Sequence, residues 1–144
     1  SFDKTFVSER FSGYCRALAA AGIEENPALV SDGLTDAASI SAFVRQHFSS
    51  LCDAYVVSDS TIAFYFLREL SRRGIRVPEE VQVIGFDDSV LAAAADPAMT
   101  VVEIDVTNLG KSAAKLLIAQ LQAEDLCPGQ NLLPARIIHR ASTR

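Results

Sequence analysis

The side chains best placed for chemistry in this chain are carboxylates at the ends of apolar runs. "VQVIGF", residues 81–86, stops at Asp87 and Asp88, and "DAYVVSD", residues 53–59, ends on Asp59. An ionised carboxylate is an acceptor only, and it takes hydrogen bonds from two hydroxyls or amino groups at once, which suits polyols and purine amines. Paired acids also serve in acid–base catalysis, but neighbours at a strand end point apart. Each of these aspartates equally suits a turn or a helix cap, a common task for the residue. His47 and His139 are the only histidines, and neither has an acidic or thiol neighbour at ligand spacing. Cys15, Cys52 and Cys127 are odd in number, widely spaced and without a C-x-x-C pairing, so no disulfide framework or zinc site is indicated, and reduced thiols in cytosol fit best. No phosphate-binding loop, dinucleotide fingerprint or nucleophile elbow is present in the sequence. The expectation is a binding protein with no metal and no cofactor, not an enzyme.

Those carboxylates need elements to hold them. Between residues 8 and 21, Phe11, Tyr14, Cys15 and Leu18 fall at i, i+3, i+4 and i+7, one buried helical face, with Gly22 as the stop. "ALV" at 28–30 reads as a short strand. It leads through Asp32-Gly33 into a helix whose apolar face draws on Ala37, Ile40, Ala42, Phe43 and Val44. A strand at 53–59 precedes a helix at 61–74, stopped by Gly74. Next come the strand 81–86, a short turn or helical segment closed by Pro97, a strand at 99–104, a long amphipathic helix at 106–125, the Pro128-Gly129 break and a final strand in "LLPARIIHR". Alternating strands and helices imply parallel pairing, and the unbroken hydrophobicity of 81–86 suits a strand covered on both faces. The predicted class is α/β with a doubly wound parallel sheet. In such sheets ligands sit outside the carboxyl ends of the strands, where Asp59, Asp87 and Asp88 converge.

Size and charge narrow the function classes. The 144 residues make one domain or a piece of a larger one. No run approaches membrane-span length and no secretory leader opens "SFDKTF". Thirteen basic against eighteen acidic residues give a net charge of −5, the wrong sign for a chain that itself neutralises phosphates.

"RGIRVPEEVQVIGFDD", followed by "MTVVEID", the Leu109-Gly110 helix opening and the terminal "LLPARIIHRAST", resembles the effector-binding domain of the LacI/GalR family of bacterial transcription regulators. "ERFSGYCRALAAAGI" looks like the segment in which that family opens a helix with an Arg three residues before a Gly and an aromatic. The resemblance covers residues 10–143. It implies a periplasmic-binding-protein-like core of two α/β subdomains with a small effector in the cleft, working as a cytoplasmic homodimer. On this reading 1–144 is a fragment of the effector-binding domain. Residues 8–104 and 131–140 form the second subdomain, the helix at 105–125 packs on a first subdomain outside the chain, and the DNA-binding helix-turn-helix, also outside it, supplies the DNA contact.

The resemblance further implies a site. Arg10 matches the family's helix-opening Arg, a fork of donors for sugar hydroxyls, a carboxylate or a phosphate. Asp87 matches the first aspartate of "GFDD", and Asp88 is read as a cap or structural partner. Where the family has Asn-Asp this chain has Asp59-Ser60, which makes the pocket more negative and favours neutral polyols or amino compounds. Leu34 and Ile104 stand where some members place a stacking aromatic and a polar contact, and neither residue can do that work, so Tyr14 is the candidate stacking surface. Phe64, Arg68 and Ala92 match the family's dimer face. The expected partners are a sugar or related polar metabolite and a second copy of the chain; a periplasmic sugar or solute-binding protein of the same fold is the alternative, which three unpaired cysteines argue against.

Overall fold

A computed structural model describes residues 5–122 and 132–144. The described chain runs α1 (Thr5–Ala20), α2 (Ala37–His47), β1 (Ala54–Val56), α3 (Ser60–Arg72), β2 (Gln82–Phe86), α4 (Val90–Ala94), β3 (Thr100–Ile104), α5 (Val106–Leu121) and β4 (Ala135–Ile138). Cys127, the Pro128-Gly129 break and the last residues of the helix expected at 106–125 lie outside the described residues.

The four strands lie in the order β1-β2-β3-β4. β1, β2 and β3 pair in parallel, with Val56 opposite Ile84 and Phe86 opposite Val102, as the alternation of strand and helix requires. β4 departs from the expected parallel sheet: it runs antiparallel to β3, with Glu103 opposite Arg136. A parallel return would need the intervening helix to cross over and bury a face on the sheet. α5 instead has no buried residue. The short strand expected at 28–30 is also absent, because Asn26 Oδ1 accepts the Ala28 N–H at 3.0 Å and Pro27 opens a single 3-10 turn over Pro27–Leu29. An Asn-Pro start gives the backbone a local partner in place of a ladder.

The core lies between α2, α3 and one face of the sheet. α3 contributes Ala63, Phe66, Leu67 and Leu70, spaced i, i+3, i+4, i+7, and α2 contributes Ile40 and Val44. Ala37 and Ala42 of the expected α2 face are exposed. From the sheet come Val83 and Val101, both fully buried. Of the aromatic run 64–66, Phe66 is buried while Phe64 and Tyr65 are half-buried, as a 100° step per residue dictates. Helix α3 ends in a glycine cap: Gly74 has φ of 74°, its N–H reaches Ser71 O, and Ile75 N–H reaches Leu70 O at 3.1 Å.

Two polar clusters hold this arrangement. Buried Glu69 on α3 accepts from Arg73 Nε at 2.7 Å and from the Ser41 hydroxyl of α2 at 3.1 Å. Burial pushes the Glu69 carboxyl up, but the hydrogen bonds from Arg73 and Ser41 and the charges of Arg73 and Arg72 outweigh it, so its pKa falls below the ordinary value. At the other end of the core, Ser142 is fully buried in the slot where β2 and β3 have not yet met. Its hydroxyl donates to Val83 O at 2.6 Å and accepts from Thr100 N–H at 2.8 Å, while its carbonyl accepts from Val83 N–H at 3.0 Å.

Ser142→Ala leaves a buried carbonyl and a buried amide unpaired, and should cost about 1–3 kcal/mol in urea unfolding with an unchanged m-value. For Glu69 the folded pKa is depressed, so its contribution is present above the unfolded value and lost as pH falls through the folded one. Glu69→Gln should therefore flatten the loss of stability seen below about pH 4.3, the ordinary glutamate value. Parallel acid limbs for wild type and variant would contradict this.

Candidate effector site at the strand carboxyl ends

β1 and β2 are parallel neighbours, so Ser58-Asp59 and Asp87-Asp88 emerge side by side at one edge of the sheet. Arg10 of α1 reaches this edge. Its guanidinium stacks over the Phe86 ring at 4.2 Å, donates to Ser58 O, and lies 3.7 Å from Asp87 Oδ1. Arg10 thus bridges the ends of β1 and β2. Its side chain is 19% exposed against 55% for Asp87, so the cation is held in the wall while the carboxylate faces outward. A pair this open is weak in water, and a ligand hydroxyl can replace solvent on either member at little cost.

The backbone at Asp87 is unusual. Its φ is +69°, the left-handed region that a non-glycine residue seldom enters, though aspartate tolerates it better than most. Its N–H continues the ladder to Val102 O at 2.9 Å, and its own carbonyl accepts from Ser89 N–H at 3.0 Å. The apolar strand therefore ends in a sharp turn that throws the Asp87 side chain off the sheet edge.

Asp59 has a task of its own. Its Oδ1 accepts from Thr61 N–H at 2.8 Å and Ile62 N–H at 3.1 Å, capping α3. Asp88 caps nothing: Ser89 caps α4, and Asp88 Oδ1 accepts from Arg140 Nη2 at 2.7 Å. Tyr14 stacks on Phe11, ring centroids 6.1 Å apart, one helical turn along α1 from Arg10. Leu34 packs half-buried against the core and Ile104 is half-buried at the end of β3.

Three participants went unnoticed in the sequence. Phe86 reads there as one more apolar strand residue, and only its ring's place under Arg10 gives it a role. Arg140 is 52 residues from Asp88, a pairing that no local pattern signals. Asp105, at the carboxyl end of β3, caps α5 by accepting from Asn108 N–H at 2.9 Å; the Asp-x-x-Asn spacing after a strand was a legible sign of it.

On the proposed dimer face, Phe64 is half-buried and Arg68 exposed. Ala92 is fully buried, and the apolar surface beside it belongs to Val90 and Leu91, 84% and 39% exposed. Among the described residues no group of three or more potential metal ligands gathers. His47 packs on the Phe43 ring at 4.7 Å. Burial, then a hydrogen bond and the charge of Glu25, raise the Cys15 thiol above its ordinary value, the opposite of an activated nucleophile. No described helix is long and apolar enough to cross a membrane.

A four-stranded α/β layer with polar groups gathered at its carboxyl edge is the layout of a periplasmic-binding-protein-like half-domain, and residues 3–143 match the family described as Periplasmic binding protein-like domain. The chain belongs to that family, within the LacI-type transcription regulators. It is 34% identical to the probable opine utilization operon repressor of Rhizobium rhizogenes, over 94% of this chain and 70% of that protein. The regulator CelR of Thermobifida fusca is 35% identical over 93% of this chain and 40% of its own length. Its cellobiose complex superposes with a TM-score of 0.82, covering 94% of this chain and 42% of that structure. The Escherichia coli repressor AscG gives a TM-score of 0.84 at 34% identity, over 99% of this chain and 52% of that structure. This chain therefore spans about two fifths to seven tenths of the lengths of these relatives, and those proteins are transcriptional regulators, not enzymes.

Proposed function

We propose that this chain forms one wall of the effector cleft and part of the dimer face of a LacI-type regulator. In this reading a small polar effector, a sugar in the first instance, changes operator affinity through a DNA-binding domain that the intact regulator carries. The observation behind it is the Arg10–Asp87 pair seated over Phe86 at the carboxyl edge of the sheet. A fixed fork of donors beside an exposed acceptor meets vicinal hydroxyls, each of which both donates and accepts. The cellobiose complex of CelR supports the sugar class. Asp59 adds acceptors and negative charge at the same edge, which disfavours strongly anionic effectors.

The rest of the chain fits an assembly of this kind. α5 leaves Val106, Leu117 and Leu121 at 73%, 58% and 79% exposure. An apolar helix so bare needs a partner surface, and here that surface is the first subdomain of the intact regulator. Phe64 and Arg68, with Val90 and Leu91, form the homodimer contact, and Ala92 shapes it from beneath. The protein works in the cytoplasm, beside its operator, and without catalysis or a cofactor.

Two measurements bear on this. A thermal-shift panel on the intact regulator, with cellobiose, other sugars, sugar phosphates and nucleosides, should raise the melting temperature for one class. A ligand at 100 times its Kd adds about 2.7 kcal/mol. Asp87→Ala should abolish that rise; a compound stabilising both proteins equally would remove Asp87 from the cleft. In sedimentation, Phe64→Glu or Arg68→Glu, the latter at an exposed position, should shift the dimer towards monomer, and an unchanged dimer in both would displace the interface from α3.

A further inference from the structure

We infer that Asp88 and Arg140 are positioning residues for the effector site: their ion pair clamps the turn after β2 so that Asp87 faces the cleft beside Arg10. The inference rests on the proposed role of Asp87 and adds the device that sets it.

The turn needs such a device. Asp87 holds a left-handed backbone conformation, and conformations of this kind persist only where the surroundings over-determine them. Before the turn, the ladder bond from Asp87 N–H to Val102 O fixes the end of β2. Beyond it, Asp88 is gripped by Arg140 at 2.7 Å. Arg140 is itself immobilised. Its Nη1 donates to Met99 O at 3.0 Å, its main-chain N–H donates to Thr100 Oγ1 at 2.9 Å, and its carbonyl accepts from that hydroxyl at 3.2 Å. Two residues on, Ser142 is locked between β2 and β3. The clamp therefore ties the turn to the buried junction of β2 and β3.

Charge gives the pair a second effect. Asp87 and Asp88 are adjacent like charges, and Arg10 is the cation on the cleft side. Asp88 is satisfied by Arg140, in a pair whose side chains are only 26% and 19% exposed, and so does not draw on Arg10. If Arg140 were lost, Asp88 would swing towards the remaining guanidinium and compete for it.

The test is an NMR comparison of wild type, Asp88→Asn and Arg140→Met, with Val83→Ala as a control for general destabilisation. A positive φ gives Asp87 a strong HN–Hα cross-peak within the residue. Both variants should weaken that peak and move the Arg10 Nε resonance, while the control, at a matched loss of melting temperature, should leave both unchanged. Persistence of the peak and of the Arg10 resonance in Asp88→Asn and Arg140→Met would overturn the clamp. In a calorimetric arm with cellobiose, Asp88→Asn should bind about tenfold more weakly, the scale on which an outer partner orients a contacting group. Equal affinity would likewise overturn it. If wild type ignores cellobiose, the sugar reading fails on its own, and the NMR comparison still decides the clamp.

Discussion

The close approach of α3 to β2 at Gly85 sets the geometry of the sheet edge proposed as the effector site. A methyl group there would sit 2.7 Å from Met99 Sδ and 3.3 Å from the Ala63 Cβ, inside a core where Met99 and Ala63 are fully buried. With only a hydrogen at that position, the first turn of α3 can lie directly on the strand. Asp59, which caps that turn, then emerges level with the end of β2, and Asp87 follows Gly85 by two residues. A side chain there would first have to displace Met99 Sδ and press on Ala63 of α3.

Around this contact, polar groups divide into those that hold and those that remain available. Asp59 holds α3, Ser89 holds α4 and Asp105 holds α5, each by accepting backbone amides. Asp88 holds the turn through Arg140. Asp87 is the carboxylate left facing outward with a cation behind it. Helix caps and ligand contacts compete for the same residue types, so a cluster of strand-end aspartates becomes a site only when the structure shows which of them are already engaged.

The antiparallel return of β4 has a related meaning. Glu103 and Arg136 face each other across β3 and β4 at 2.5 Å, and the strand delivers Arg140 and Ser142 to the junction of β2 and β3. In a parallel sheet this segment would run the other way and end at the carboxyl edge, instead of beside Met99 and Thr100 at the start of β3, where Arg140 makes its hydrogen bonds. The direction of the last strand thus supplies the anchor for that turn, while α5, which does not cover the sheet, leaves Val106, Leu117 and Leu121 exposed.

The local signals in the sequence were strong. Helical spacing at 11, 14, 15 and 18, the glycine stop at Gly74, the β-branched runs and the order of motifs made the helices, three parallel strands and the family legible, because each depends on neighbours along the chain. "ALV" at 28–30 misled, since three apolar residues cannot outweigh an Asn-Pro start that satisfies its own backbone. Arg10 and Asp87 were legible as types in the right order. Their meeting over Phe86, the left-handed turn at Asp87, the pairing of Asp88 with Arg140, the burial of Ala92 and the antiparallel β4 were decided by tertiary structure, whereas the capping of α3 by Asp59 is local and was legible as a cap. Most of them rest on contacts across tens of residues, where packing and charge choose the partner and local spacing carries no record of the choice.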